Sequence, residues 1–120
     1  LPLKLIIGPT LREIDGLAMS SRNVRLTPEM RHIAPAIYKT LNKAKTILGS
    51  ESIDHIVTTC KVELDKLGLQ TEYLEIVDGN TLKPIENPAN HDYIVACVAT
   101  WAGKVRLIDN LILKGELQMN

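Results

Sequence analysis

Two hydroxyl groups and two guanidinium groups lie close together near the start of the 120-residue sequence. Ser20 and Ser21 are adjacent, and Arg12 and Arg22 lie before and after them. Gly16 lies within the same stretch and permits backbone conformations that a β-carbon would penalise. Adjacent hydroxyls, free backbone N–H groups and a guanidinium suit a tetrahedral oxyanion such as phosphate. The alternative is a surface loop with a helix-capping serine, because small polar loops are common.

The same stretch carries a resemblance to a known enzyme family. Residues 15–23, DGLAMSSRN, resemble the nucleotide-binding signature of the pantothenate synthetases, also called pantoate–β-alanine ligases. The resemblance extends over nearly all of the chain and implies the C-terminal domain of a two-domain ligase. The family's N-terminal nucleotide-binding domain, with its His-x-Gly-His motif, is expected to lie outside this sequence. The further matching motifs are Pro9–Arg12, Leu26–Glu29, Tyr73–Ile76 and Arg106–Asn110.

The resemblance implies an ATP-dependent ligation in two steps. ATP activates the carboxylate of pantoate as an acyl adenylate and releases pyrophosphate, and the amine of β-alanine then displaces AMP to give pantothenate, a coenzyme A precursor. Mg²⁺ is expected to enter with ATP, held largely by phosphates and water. The resemblance also implies a cytoplasmic enzyme that is a homodimer at full length. This chain would supply the C-terminal lid and the phosphate-binding loop, and we expect it to be inactive alone.

The resemblance also assigns roles within the loop, which is similar to the Lys-Met-Ser-Lys-Ser loop of class I aminoacyl-tRNA synthetases. It implies that Met19 lies by the adenine and that Ser20 donates to a phosphate. Ser21 would support the loop or donate as well, and Arg22 would hold the triphosphate. Ser20 and Arg22 are the implied catalytic residues. Leu11 matches a position that contacts adenine through its backbone. Its side chain can also serve as an apolar anchor after Pro9, and both roles can hold together.

Other polar residues have structural interpretations. We expect an ion pair between Arg12 and Asp15 that clamps the loop, in preference to direct substrate contact, since exposed loop pairs are common although weak. Arg106, Asp109 and Asn110 lie on or beside a predicted strand. They are expected to form a buried polar network that braces the sheet, because buried polar groups must be paired.

Composition excludes several classes of partner. Lysine and arginine together number 14, as do aspartate and glutamate, so the chain lacks the basic excess that many nucleic-acid-binding modules show. No apolar run approaches the roughly 20 residues that a membrane-spanning helix needs. A length of 120 residues corresponds to one domain. The sequence therefore predicts one cytoplasmic domain that binds neither nucleic acid nor membrane.

Cysteine and histidine residues give no sign of a metal site. Cys60 and Cys97 have no metal-ligand spacing and are expected to be small buried side chains without a disulfide. His32, His55 and His91 are scattered along the chain, with no convergent thiols or carboxylates. We therefore expect no protein-held metal ion.

Helices are predicted from capping residues and apolar spacing. Thr27, Pro28 and Glu29 are favourable at a helix start, and Pro35 is expected either to divide the following helical pattern into a short and a long helix or to kink a single helix. Ser52 caps a further helix, predicted over residues 53–67.

Three strands are predicted after the helices, over residues 71–77, 93–99 and 105–113. The second is an unbroken apolar run, typical of a strand covered on both faces. We therefore expect an α+β fold, with a three-stranded antiparallel sheet and helices packed mainly on one face. The predicted organisation assigns residues 1–8 to a trailing strand of the N-terminal domain, 11–26 to the signature loop and 27–115 to the helices and sheet.

Two further classes of function stay open at this level. One is a nucleotide- or anion-binding module without chemistry. The other is a protein-interaction domain in which the apolar strand Leu3–Ile7 docks a partner, because unpaired strand edges favour augmentation.

Overall fold

Helices pack against one face of an antiparallel sheet in the computed structural model, which describes residues 10–115. The predicted α+β fold is confirmed, whereas the predicted strand Leu3–Ile7 lies outside the described residues. The helices are α1 (Pro28–Ile33), α2 (Ala36–Ile47) and α3 (Ile53–Lys66). The strands are β1 (Gln70–Asp78), β2 (Ile94–Ala102) and β3 (Val105–Lys114), and 3₁₀ turns lie at Ser21–Arg25 and Pro88–Asn90.

The helix boundaries follow the capping residues. The Thr27 hydroxyl accepts a hydrogen bond from the Met30 N–H across 3.1 Å, and Pro28 occupies the first turn of α1. Pro35 separates α1 from α2, as predicted from its missing N–H. The Ser52 hydroxyl accepts from the His55 N–H across 3.2 Å at the start of α3.

The sheet has the strand order β1-β2-β3, with β2 in the centre. In its register, Val98 of β2 lies opposite Leu74 of β1 and Asp109 of β3. Leu74 and Val98 belong to the main core beneath the helices, and opposite residues in a sheet share a face. Asp109 is therefore a carboxylate on the helix-covered face of the sheet. This position requires a partner for its charge.

The second face of the central strand is also covered. Val95 and Cys97 of β2 pack with Val77 and Tyr93 in a smaller cluster, against which Leu82 of the β1–β2 connection packs. Both faces of β2 are therefore buried, as its apolar run predicts.

The two cysteines are free and buried, and burial raises the pKa of each thiol to about 11. The expectation that Cys60 and Cys97 are small buried side chains is confirmed. No helix within residues 10–115 has the length and apolar character needed to cross a bilayer.

Candidate functional site

The first half of the signature loop, residues 11–18, folds back on itself as a short hairpin, which we call the loop base. The Met19 N–H donates to the Leu11 carbonyl across 2.9 Å and closes this hairpin. Gly16 at its turn has φ = +94°, a conformation that L side chains rarely adopt. A β-carbon there would lie 2.5 Å from Cδ2 of Tyr38 on α2. The hairpin therefore needs glycine here, both for its dihedral angle and for its contact with α2.

Arg12 fixes the loop base to the sheet. Its guanidinium donates two hydrogen bonds to the carboxylate of Asp109, across 2.6 and 3.0 Å. It also donates to the carbonyls of Gly16 and Asn110, across 3.0 and 3.3 Å. It lies 3.9 Å from the centre of the Tyr38 ring, within the range of a cation–π contact. The Arg12 side chain therefore joins the loop, β3 and α2 at one point.

The predicted ion pair between Arg12 and Asp15 is wrong. Asp15 instead accepts a hydrogen bond from Arg31 of α1 across 2.6 Å, and this bond lowers the pKa of the Asp15 carboxyl. Asp109 is 5% exposed, whereas Asp15 is exposed. A buried carboxylate costs much more to leave unpaired than an exposed one, so the arginine that can reach the sheet pairs with Asp109.

The predicted polar network on β3 is confirmed at Asp109 and wrong at Arg106. The Arg106 guanidinium pairs with Glu72 of β1 nearer the surface, donating from Nε and Nη2 across 3.1 and 2.7 Å. The Trp101 indole N–H donates to the same carboxylate across 3.1 Å. These bonds, that of Arg106 first, lower the pKa of Glu72. The Asn110 backbone N–H donates to Asp109 and so belongs to the buried part of the network.

Residues 19–22, the loop tip, are exposed. The Ser20 hydroxyl accepts a hydrogen bond from the Arg22 N–H across 3.1 Å and caps the 3₁₀ turn, so the simpler interpretation of a capping serine is confirmed. A hydroxyl that accepts one hydrogen bond can still donate its own proton. The side chains of Ser21 and Arg22 form no hydrogen bond or ion pair within residues 10–115. The tip therefore presents two hydroxyls and one guanidinium to solvent.

A pocket of about 370 Å³ lies between the loop tip, α2 and β3. Its wall includes Met19, Ser20 and Arg22, and on the α2 side Tyr38. The Leu11 side chain is 75% exposed and does not line this pocket, so its interpretation as an apolar anchor is wrong. The structure thus brings three of the five predicted ligand-binding residues to one pocket.

The arrangement at the tip suits anion binding. Residues 19–22 contain hydroxyls, a thioether and a guanidinium, with no imidazole or carboxylate. Such a group can bind and orient a phosphate, but it holds no side chain suited to act as a general base near neutral pH. Its expected contribution is therefore electrostatic stabilisation and positioning.

Two participants were missed by the sequence analysis. Tyr38 stacks on Arg12, and Arg31 pairs with Asp15. The 3₁₀ turn and the start of α1 lie between Asp15 and Arg31, and the whole of α1 lies between Arg12 and Tyr38, so no local spacing rule connects either pair. The only available signal was the presence of a tyrosine and an arginine on helices expected to pack near the loop.

Comparison with known proteins gives a consistent result. The family model for pantoate-beta-alanine ligase matches residues 1–112. A pantothenate synthetase from Porphyromonas gingivalis is 44% identical over 112 residues, which is 92% of this chain and 40% of that protein. One from Bacteroides fragilis is 41% identical over 113 residues, with 93% and 40% covered. The chain thus spans about 40% of the length of these curated relatives.

Solved structures agree with the sequence matches. The crystal structure of a pantothenate synthetase from Thermus thermophilus matches with a TM-score of 0.79 and 36% identity, covering 89% of this chain and 39% of that one. A pantoate-beta-alanine ligase from Francisella tularensis, in complex with beta-gamma ATP and beta-alanine, matches with a TM-score of 0.59 and 27% identity. The match covers 92% of this chain and 33% of that one.

Proposed function

Because the chain belongs to the pantoate-beta-alanine ligase family, we propose that it supplies the phosphate-binding part of an enzyme that joins pantoate to β-alanine with ATP. In the first step, a carboxylate oxygen of pantoate attacks the α-phosphorus of ATP, and the bond to the β-phosphate oxygen breaks. Pyrophosphate leaves with that electron pair. In the second step, the amine of β-alanine attacks the acyl carbon, loses a proton and displaces AMP.

The observation that carries this proposal is the contrast within one loop. The guanidinium of Arg12 donates four hydrogen bonds to protein acceptors, whereas the exposed side chains of Ser21 and Arg22 have no partner among the described residues. Negative charge gathers on the phosphates during the first step, and donors already aimed at that charge lower the barrier. We assign Ser20 and Arg22 to the phosphates, with Ser21 as a further donor.

The residues that would contact the adenine of ATP are assigned less directly. Met19 is 53% exposed at the edge of the pocket and would border the adenine. The Leu11 carbonyl already accepts from the Met19 N–H, but its oxygen has a second lone pair, so the Leu11 backbone would contact the adenine through its carbonyl or its N–H. The Francisella tularensis relative, which is in complex with beta-gamma ATP and beta-alanine, supports the class of ligand.

The described residues suit a magnesium ion that arrives with ATP better than one held by the protein. Residues 10–115 contain no group of three or more histidine, cysteine, aspartate or glutamate side chains placed to hold a metal. The tip offers hydroxyls, which are compatible with an ion held mainly by phosphates and water. Bound there, Mg²⁺ would neutralise phosphate charge, while Arg22 and the serines orient the phosphates.

We further propose that this chain depends on an N-terminal region for activity, since it spans about 40% of its relatives' length. That region would bind pantoate and align its carboxylate with the α-phosphorus. Such positioning can account for roughly 7–11 kcal/mol of a barrier. Homodimer formation at full length and a cytoplasmic location remain predictions.

The test is an AMP-release assay with ATP, pantoate and β-alanine. The 120-residue chain alone should release no AMP above a heat-inactivated control. A chimera that joins the chain to the N-terminal region of the Porphyromonas gingivalis relative should release AMP and form pantothenate in equal amounts. Turnover by the chain alone would contradict the proposed dependence, and an inactive, folded chimera would favour a non-catalytic anion-binding module.

Substitution of Arg22 tests its assigned contact with the phosphates directly. In the chimera, Arg22→Ala should cost roughly 2–4 kcal/mol of transition-state stabilisation, by analogy with removed oxyanion donors. Arg22→Lys should recover only part of the rate, because an ammonium keeps the charge and loses the planar fork. Single-turnover pyrophosphate release measures this effect. A wild-type rate in Arg22→Ala would show that the assigned phosphate role is wrong.

A further inference from the structure

A second pocket shares Arg22 with the first and lies where the β2–β3 turn meets the 3₁₀ turn Ser21–Arg25. Its volume is about 290 Å³, and we call it the basic pocket. Four of its six lining residues are cationic, and the other two are Trp101 and Val105. The cationic residues are Arg22, Arg25, Lys104 and Arg106.

The charges of the basic pocket are largely uncompensated. No carboxylate is among the described residues that line it. Arg22, Arg25 and Lys104 form no ion pair within residues 10–115. The sequence as a whole has equal numbers of acidic and basic side chains, so this pocket is a local concentration of positive charge. Cations held close together repel one another, and a multivalent anion between them would remove that repulsion.

One wall of the basic pocket is held in a fixed orientation. Glu72 accepts hydrogen bonds from Nε and Nη2 of Arg106 and from the Trp101 indole. Trp101 and Arg106 are also opposite each other in the sheet register. This arrangement leaves Nη1 of Arg106 without a partner among the described residues. The guanidinium is therefore oriented by one edge while its other edge is available to a ligand.

We infer that the basic pocket binds a linked phosphate anion, supplied either by the terminal phosphates of a nucleotide or by free pyrophosphate. Its volume lies just below the roughly 300–1,000 Å³ typical of pockets for drug-sized ligands. That size suits a small anion better than a whole nucleotide. Guanidinium groups match phosphate oxygens in pairs, which favours phosphate over a monovalent ion.

The choice of pyrophosphate rests on the proposed function, whereas the preference for a multivalent anion rests on the pocket alone. When the α–β phosphate bond breaks, the leaving oxygen keeps the electron pair and pyrophosphate gains charge. Arg22 borders both pockets. The departing anion can therefore move from the tip into the basic pocket without losing contact with this guanidinium.

Isothermal titration calorimetry of the 120-residue chain at low salt tests the inference, with pyrophosphate, orthophosphate and ATP as separate ligands. Pyrophosphate should bind more tightly than orthophosphate. Arg25→Gln and Lys104→Gln should each weaken pyrophosphate binding about ten- to hundredfold, as expected for one lost charged hydrogen bond. Both side chains are exposed, and melting curves should show that both variants stay folded. Lys45→Gln on α2 removes the same charge away from the pocket and should bind as wild type.

The titration with ATP identifies the source of the linked phosphates. Equal weakening of ATP and pyrophosphate binding assigns the pocket to the nucleotide's terminal phosphates, and weakening of pyrophosphate alone assigns it to the product. The inference is overturned if the wild-type chain binds no pyrophosphate or if Arg25→Gln and Lys104→Gln bind it unchanged. Equal weakening by Lys45→Gln would likewise overturn it, since that result indicates non-specific attraction. An inactive chimera in the ligation assay would contradict the proposed function. It would not change the conclusion that the titrations give about anion binding in the basic pocket.

Discussion

The base and the tip of the signature loop differ in how their polar groups are satisfied. In the base, the Arg12 guanidinium contacts Asp109, Gly16, Asn110 and the Tyr38 ring, and its side chain is 14% exposed. In the tip, residues 19–22 are exposed and held mainly through the Ser20 cap and backbone bonds.

This difference shows how a polar loop can be both anchored and available to a ligand. Removing one partner of a buried ion pair is costly because the other charge is left buried and unpaired, so the loop is held firmly where it meets the sheet. Hydroxyl and guanidinium groups at the tip can donate hydrogen bonds to a ligand only if they do not already donate to protein acceptors. The proposed function therefore assigns stability to the base and phosphate binding to the tip, and the two roles should separate under mutation.

The largest expected effect comes from breaking the anchor. Arg12→Ala leaves the Asp109 carboxylate buried without its partner, and should destabilise the chain by about 3–5 kcal/mol in chemical denaturation. Asp109→Ala should also be strongly destabilising. The double variant should cost about 2 kcal/mol less than the sum of the two, because the pair interacts directly. Additive losses would show that the pair does not hold the loop.

A smaller effect is expected from the hairpin turn of the base. Gly16→Ala should cost about 2–4 kcal/mol, since it combines a positive φ with a clash against Tyr38. Gly49→Ala is the matched control: Gly49 has φ = +87° and no atom near its missing β-carbon. It should cost about 1 kcal/mol, from backbone strain alone. Equal losses in denaturation would exclude a contribution from the contact with α2.

The fold could be predicted because its signals are local. Thr27 and Pro28 mark a helix start within two residues, Pro35 marks a break at one position, and the apolar run of β2 identifies the central strand. Each of these signals acts through the backbone or burial of its own segment.

The anchor of the loop could not be predicted for the opposite reason. Arg12 and Asp109 are 97 positions apart. Asp15 is the nearer partner in sequence, and only the packing of β3 against α2 decides between them. The tip residues were found through the family resemblance, whereas residue types alone also allowed a capping serine, and Ser20 does cap a turn.

A third prediction concerns the pH dependence of the exposed ion pair between Asp15 of the loop base and Arg31 of α1. The hydrogen bond from Arg31 lowers the pKa of Asp15 below its ordinary value of 3.8. The folded state therefore favours the ionised carboxyl, and the resulting stability is present above pH 3.8 and lost as pH falls through the lowered pKa. Wild type should be slightly more stable than Asp15→Asn at pH 7, and the difference should vanish in strong acid.

The control for this pH effect is Glu86→Gln, which neutralises an exposed carboxylate that forms no ion pair within residues 10–115. Its unfolding free energy should match wild type at both pH values. If Asp15→Asn keeps the same deficit in strong acid, the Arg31 pair is not its cause.

The smallest effect on stability is expected at the tip, and the loss at Arg22 should be far smaller than the loss at Arg12. The measurement is the unfolding free energy of Arg22→Ala beside that of Arg12→Ala, under one set of conditions without nucleotide. Arg22→Ala should stay within about 0.5 kcal/mol of wild type, as for other surface substitutions, while Arg12→Ala loses at least about 3 kcal/mol. Similar losses in the two variants would contradict the division of this loop into a base that anchors it and a tip whose side chains contribute little to stability.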